Sequence, residues 1–389
     1  MNNLNFVFSI PTLIVFGCGS IEELGKRVRE LGGSKAIVVT DKGIVNSGIL
    51  DGIKDILRKN DIDFVIFDEV EPNPLDTTVE KGADVAIKEG CDIVIGIGGG
   101  SSMDSAKAIA MRVKNREGTL LDYVGINKVK NVPLPIVAVP TTSGTASELT
   151  IFSVLTDSRD LTKISIGSDL LTPKVAICDP ILTTSMPPNV TAMTGMDALT
   201  HAIESYVTTI ATPVTKTLAL ESIRLISDNL RRAVARGEDI NARSNMLLAS
   251  LLAGMAFRHT RLGIAHALAM PLGSWDIRLP HGLANALVLP YVMEFNLPGN
   301  LEGYADIAIA MGESPGDTLR ETALKSIRAV KELIEDIGLP RSLKAVGVRK
   351  EDFDRIAQEA MKSGNLAVNP RVCKKEDLIS ILEASYEGE

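Results

Sequence analysis

Along the first half of the chain, apolar residues come in short β-branched runs separated by stretches with helical spacing. AIVVT (36–40), DFVIF (63–67), DIVIGIGGG (92–100) and PIVAVPTT (135–142) each read as a strand buried on both faces. Between them, SGILDGIKDILRKN, TTVEKGADVAIKEG and SSMDSAKAIAMRV repeat their apolar positions with a period near that of a helix. FVFSIPTLIVFGCG (6–19) is apolar enough to resemble a signal peptide. No Lys or Arg precedes it, however, Pro11 interrupts it and Lys26 is the first basic residue, so it reads as an early buried strand. This βαβα order predicts a parallel sheet covered by helices.

After about residue 182 the texture changes. MPPNVTAMTGMDALTHAIESYV, TKTLALESIRLISDNLRRAV and NARSNMLLASLLAGMAF all carry the helical period, and strand-like runs nearly vanish. Pro187 and Pro188 stop regular structure just before a new helix, which places a boundary there. The expected organisation is an α/β amino-terminal domain over 1–184 and an all-α carboxy-terminal domain over 185–389, with a small-molecule cleft between them.

Composition narrows the function. At 389 residues the chain is too long for a single ordinary core, which agrees with two domains. Hydrophobic content of 45% with 23% charged residues describes a packed globular protein. A net charge of −8 without a dense Lys/Arg stripe argues against nucleic acid as a partner. No uninterrupted apolar run is long enough to span a membrane. Cys18, Cys91, Cys178 and Cys373 are scattered, with no C-x-x-C pair, which suits a reducing cytoplasm and gives no thiolate zinc site.

GIGGGSSMDSAK (96–107) follows a strand and opens a helix, a setting in which glycines let the backbone approach a phosphate at the helix start. It is not a full G-x-G-x-x-G, because Ser101 holds the sixth position, and it lacks the Lys of a Walker A loop. A tight strand-to-helix turn capped by Ser101 or Ser102 is the plainer reading; the βαβ setting favours Rossmann-like dinucleotide binding. Asp41 ends the strand AIVVTD, where a carboxylate can accept from a ribose diol and repel a 2′-phosphate, although Asp is also a common turn residue there. That points to NAD, with NADP as the other possibility. PTTSGTASE (140–148) offers hydroxyls and amides at another strand end, or is simply a solvated loop.

The chain has four histidines, at 201, 259, 266 and 281. Asp197 and His201 lie four apart, on one helical face, and taken alone read as a surface pair. The helix around them is apolar on most sides, and unpaired burial of both groups would be costly. LGIAHALAMPLG and LPHGLANALVLPYV set His266 and His281 among apolar residues too. Three imidazoles and one carboxylate form an N3O set that suits Fe2+ or Zn2+ rather than Mg2+ or Ca2+. Spacing leaves open whether they converge.

FGCGSIEELG, VVTDKG, EPNPLDTTV, IGIGGGSSMDSAKAIA, VPTTSGTASE, MPPNVTAMTGMDALTHAIESY, LGIAHALAMPLG and PHGLANALVLPYVMEFN together resemble the iron-containing (group III, metal-dependent) alcohol dehydrogenases over nearly the whole chain. The resemblance implies a two-domain fold and an NAD(P)-linked alcohol dehydrogenase or aldehyde reductase acting on a small alcohol or aldehyde. It implies Fe2+ or Zn2+ held by Asp197, His201, His266 and His281, and a homodimer or larger homo-oligomer. It places the dinucleotide near Asp41, Asn73, Gly98, Gly99, Gly100, Ser101, Thr141, Thr142, Thr145 and Lys163. Phe257, His259 and Met270 are candidates for the substrate pocket. A glycerol-dehydrogenase-like or dehydroquinate-synthase-like metalloenzyme of the same architecture is the alternative.

Three departures stand out. Many relatives carry a second histidine four residues after the one at 266, close to the nicotinamide, and this chain has Met270 there. The segment HALAMPLGSWDIRLPH is one residue longer than is common, which reshapes the pocket wall. FRHTRLG (257–263) places Arg258, His259 and Arg261 where relatives carry small or amide residues, as surface charge or as a cationic rim for a polar or anionic aldehyde.

Overall fold

The computed structural model describes residues 5–274 and 278–388, and these fall into two compact units. One comprises Ser9–Thr142 and Ala146–Ser185; the other comprises residues 5–8, Ser143–Thr145 and residues 186–388.

The first unit is an α/β sheet structure. Its strands are β1 (Leu13–Phe16), β2 (Lys35–Val39), β3 (Asp63–Phe67), β4 (Ile93–Gly98), β5 (Gly125–Ile126), β6 (Ile136–Pro140), β7 (Phe152–Thr156), β8 (Lys163–Gly167) and β9 (Val175–Cys178). Six of them form one sheet in the order β1-β9-β6-β4-β2-β3, every pair parallel. Successive residues point to opposite faces. Ala36, Val38, Ile93, Ile95 and Ile97 therefore pack with Leu24, Val28, Ile53 and Leu57 on one side. Ile37, Val39 and Val94 pack with Val79, Ala86 and Ile109 on the other. Burial on both faces is why these strands read as continuous apolar runs.

Two features depart from the sequence reading. β1 is an edge strand, so Leu13 and Phe16 are exposed rather than buried. The segment after the fourth predicted strand also forms β9 and, with β5 from before that strand, a second sheet, β5-β8-β7, whose β7–β8 pair is antiparallel. KISIG does alternate polar and apolar residues, as a half-buried strand would, but over only five positions.

Beneath this second sheet lies a buried polar cluster. Lys107 is 1% exposed, and its ammonium donates to Ser147 Oγ (2.7 Å), Thr150 Oγ1 (2.9 Å) and the Phe152 carbonyl (2.8 Å). Next to Ser147, Glu148 is also 1% exposed, and among the described residues its Oε2 has no hydrogen-bond partner. Burial pushes its carboxyl up to about 7, against its backbone hydrogen bond and the Lys107 charge. A carboxyl raised on folding binds its proton more tightly in the folded state. Its contribution is complete below the unfolded value near 4.5 and is lost as pH rises through about 7. Glu148→Gln removes that loss. Its stability relative to wild type should grow between pH 5 and pH 8, by up to on the order of 3 kcal/mol. Urea unfolding at the two pH values measures this, and an equal difference at both would refute it.

The second unit is helical. Helix Pro188–Val207 begins with a proline at its first position, where the missing N–H costs nothing. It is packed by helices Pro213–Ala235, Ile240–Thr260 and His281–Asn296, so residues all round it are buried. Arg243, 1% exposed, anchors its start through Thr191 Oγ1 (2.8 Å) and the Met186 carbonyl (3.0 Å). Among the described residues no helix is long and apolar enough to cross a membrane.

Candidate metal centre and dinucleotide loop

Asp197, His201 and Glu204 occupy positions i, i+4 and i+7 of helix Pro188–Val207 and so share one face. Helix Ile264–Leu272 supplies His266, and helix His281–Asn296 supplies His281 as its first residue and Asn285 one turn later. Asp197, His201 and His266 each present one ligand atom, and the three atoms lie within 4.8 Å of one another. All three residues are buried. His281 Nε2 stands 3.8 Å from the same Asp197 oxygen that His266 Nε2 approaches at 3.8 Å; its side chain is 40% exposed. The rings of His201 and His266 stack at 4.4 Å, and the Phe257 ring also stacks on His201 at 4.4 Å.

The electrostatics suit a cation. Burial opposes ionisation of Asp197, but the three imidazoles and the Asn285 amide outweigh it and hold the carboxyl below its ordinary value. Burial pushes His201 down to about 3, so its imidazole is neutral across the physiological range. Asn285 Nδ2 donates to Asp197 Oδ1 (2.8 Å) and lies 3.2 Å from His266 Nε2 and 3.4 Å from His281 Nε2. His266 Nδ1 meets Glu204 Oε2 at 2.7 Å, which turns its Nε2 toward the cluster. A buried carboxylate with imidazoles around it is a donor set that fits one divalent transition metal ion.

The glycine loop sits at the end of β4. Gly98 has φ +141°, and a Cβ there would meet Ser102 Oγ at 2.6 Å and Asp41 Oδ2 at 3.2 Å, so only glycine fits. Gly100 and Ser101 open helix Gly100–Lys114, Thr141 N–H donates to the Gly98 carbonyl (3.0 Å), and Thr142 lies against Gly99. Asp41 takes Ile44 N–H on Oδ1 (3.1 Å), capping a short helix, and Ser102 Oγ on Oδ2 (2.9 Å). Lys163 donates to Asn73 Oδ1, and Asn73 holds a left-handed backbone at φ 58°. Burial lowers the Lys163 ammonium to about 8, against the Asp104 charge. Thr145 belongs to the helical unit.

The pocket candidates divide. Phe257 stacks on His201, and Met270 is half-buried one helical turn beyond His266. His259 makes its ring contact with Phe8, at 4.4 Å. Arg261 ends helix Ile240–Thr260 with φ 56° and reaches the Gly364 carbonyl (3.4 Å), while Arg258 is half-buried. The segment from His266 to His281, expected to be one residue longer than is common, includes residues 275–277, which lie outside the described residues.

Two members of the centre have no counterpart in the sequence reading. Glu204 stands three residues after His201 and Asn285 four after His281, so helical spacing from the histidines was the signal available for both.

Comparison with known proteins gives a family. Residues 11–180 match the model of iron-containing alcohol dehydrogenases, and residues 191–386 match that of the carboxy-terminal part of the Fe-containing alcohol dehydrogenase family. The chain is 45% identical to the 1,3-propanediol dehydrogenase of Citrobacter freundii, over 98% of this chain and 99% of that one. It is 39% identical to the NAD-dependent methanol dehydrogenase of Bacillus methanolicus, over 97% and 98%. A crystal structure of a 1,3-propanediol oxidoreductase superposes with a TM-score of 0.95 at 45% identity, over 98% of this chain and all of that one. With matches of this length in both halves, the protein belongs to the iron-containing alcohol dehydrogenase family and is an oxidoreductase acting on CH–OH groups.

Proposed function

We infer that Asp197, His201, His266 and His281 hold the divalent ion of an NAD-linked enzyme that interconverts a small primary alcohol or diol with its aldehyde. The convergence of Asp197, His201 and His266 within 4.8 Å, in a buried setting, carries this reading. The named activities of the propanediol and methanol dehydrogenase relatives support the substrate class, and do not favour the glycerol-dehydrogenase-like or dehydroquinate-synthase-like alternative. The bound ion would polarise the substrate oxygen and the nicotinamide would supply the hydride chemistry.

The chain's own residues then have distinct tasks. Asp197 supplies the negative charge of the ligand set, and His201, neutral even in mild acid, supplies a lone pair without competing for a proton. Phe257 covers the His201 ring and keeps water from that side. Gly98–Ser101 and Thr141–Thr142 offer backbone and hydroxyl groups to phosphate, while Asp41, Asn73 and Lys163 offer polar groups to the remaining cofactor. NAD is favoured by the Asp41 carboxylate, which repels a 2′-phosphate. We keep the division at 184/185 into a dinucleotide-binding and a metal-binding part, a homodimer or larger homo-oligomer, and a cytoplasmic setting.

The decisive test is oxidation of NADH and NADPH across an aldehyde panel, with metal removed by a chelator and restored as Fe2+ or Zn2+. Turnover that survives chelation unchanged would overturn the metal assignment. Met270 carries no ionisable group, so the chain offers no imidazole there to carry the proton. Met270→His adds a group with an ordinary pKa of about 6.5. The pH–rate profile for kcat should then gain an inflection near that value, and an unaltered profile would count against a relay at this position.

A further inference from the structure

We propose that Glu204 is a positioning residue of the metal centre: its carboxylate fixes His266 with the proton on Nδ1, leaving Nε2 free to bind metal. The inference rests on the reading of His266 as a ligand. It arises from three donors that converge on one buried side chain. Gly263 N–H donates to Oε2 (2.8 Å), Ala265 N–H donates to Oε1 (2.7 Å), and His266 Nδ1 meets Oε2 at 2.7 Å. Glu204 is 4% exposed.

A carboxylate is the only common side chain that accepts at both ends and donates at neither. The two backbone N–H groups cannot change their role, so Oε1 and Oε2 must both be acceptors. The Nδ1 proton follows, because a lone pair there would face a lone pair on Oε2. The same contact caps the first turn of helix Ile264–Leu272, whose cap residue Gly263 has no side chain to do so. Gly263 is also what admits the carboxylate: a Cβ there would lie 2.8 Å from Glu204 Oε1 and 3.1 Å from Asn369 Oδ1. Glu204 thus ties the orientation of the helix and the tautomer of its histidine to one group on the helix that carries Asp197 and His201. Without it, nothing holds the proton on Nδ1, and the Nε2–H tautomer, whose hydrogen would face Asp197 Oδ1 3.8 Å away, becomes accessible. In that state the nitrogen facing the cluster would carry hydrogen instead of a lone pair. Removal of such a carboxylate partner weakens metal binding by roughly 10–100-fold in other sites.

The test uses the full chain, metal-free and loaded with Co2+. With only four histidines, 15N-histidine labelling resolves each ring, and His266→Gln identifies the resonances of His266. Metal-free wild type should show His266 as the Nδ1–H tautomer. Glu204→Met, similar in length but without an acceptor, should shift it toward Nε2–H; a folded variant that keeps the Nδ1–H tautomer overturns the proposal. Glu204→Gln keeps an acceptor and loses the charge, and its Co2+ affinity, measured by chelator competition, should fall tenfold or more. A smaller change also overturns the proposal, and this arm decides alone if Glu204→Met does not fold. A purely structural role would lower thermal stability without moving tautomer or affinity. Wild type that binds no Co2+ would instead defeat the metal reading, while the metal-free tautomer measurement still judges Glu204.

Discussion

Asp197→Asn is expected to lower kcat/KM for aldehyde reduction by about 10³-fold or more while leaving the protein folded. The substitution changes one oxygen to an amide nitrogen and so keeps the shape of a residue that is 2% exposed. What it removes is the sole formal negative charge in a set otherwise composed of imidazoles. The polarisation that such a set confers on a substrate oxygen is worth several kcal/mol, and each 1.4 kcal/mol is a factor of ten in rate. The neutral amide also reverses one hydrogen bond: if its nitrogen faces Asn285 Nδ2, two donors oppose each other at 2.8 Å. Metal content after dialysis and steady-state kinetics check the outcome, with circular dichroism to confirm the fold. A variant retaining a tenth of wild-type kcat/KM would remove Asp197 from the ligand set.

Gly282→Ala should disturb both stability and rate, although residue 282 offers no functional group. A Cβ there would lie 2.1 Å from the Met193 carbonyl oxygen, 2.7 Å from its carbon and 3.3 Å from Asp197 Cβ. The first two are backbone atoms of helix Pro188–Val207, so no flexible side chain can move aside; the helices themselves must part. Overpacking of this kind costs about 1–3 kcal/mol, which lowers the midpoint of thermal unfolding by several degrees in a unit of this size. Gly282 directly follows His281 and lies three residues before Asn285, so parting the helices carries both away from Asp197. A displacement of about 1 Å at a reacting centre can cost 10²-fold in rate, and a comparable loss in kcat/KM is expected. Unchanged melting and kinetics together would show that the close approach at Gly282 is not needed.

Legibility in the sequence followed the range of the forces involved. The parallel strands were readable because both of their faces are buried, as with Ile93–Gly98, where every residue is inside. β1 misled because its apolar composition resembles that of a central strand, although only the pairing order puts it at an edge. The β5-β8-β7 sheet was missed because its strands are short and partly polar, and its stability comes from packing on helix Gly100–Lys114. Arg243 and Glu148 look like ordinary surface charges in sequence; each is about 1% exposed.

The sequence by itself determined the βαβα half, the helical half, the glycine turn after β4, and the pairing of Asp197 with His201 on one helical face. These are matters of periodicity and backbone freedom, which residues within a few turns of one another decide. Tertiary structure alone brought His266 and His281 to Asp197 from two other helices, engaged Asp41 with Ser102, and turned Glu204 toward Gly263 and Ala265. Periodicity reports which face of a helix is buried, but not which element meets it. A buried charge is recognisable only when its partners, distant along the chain, are in place around it.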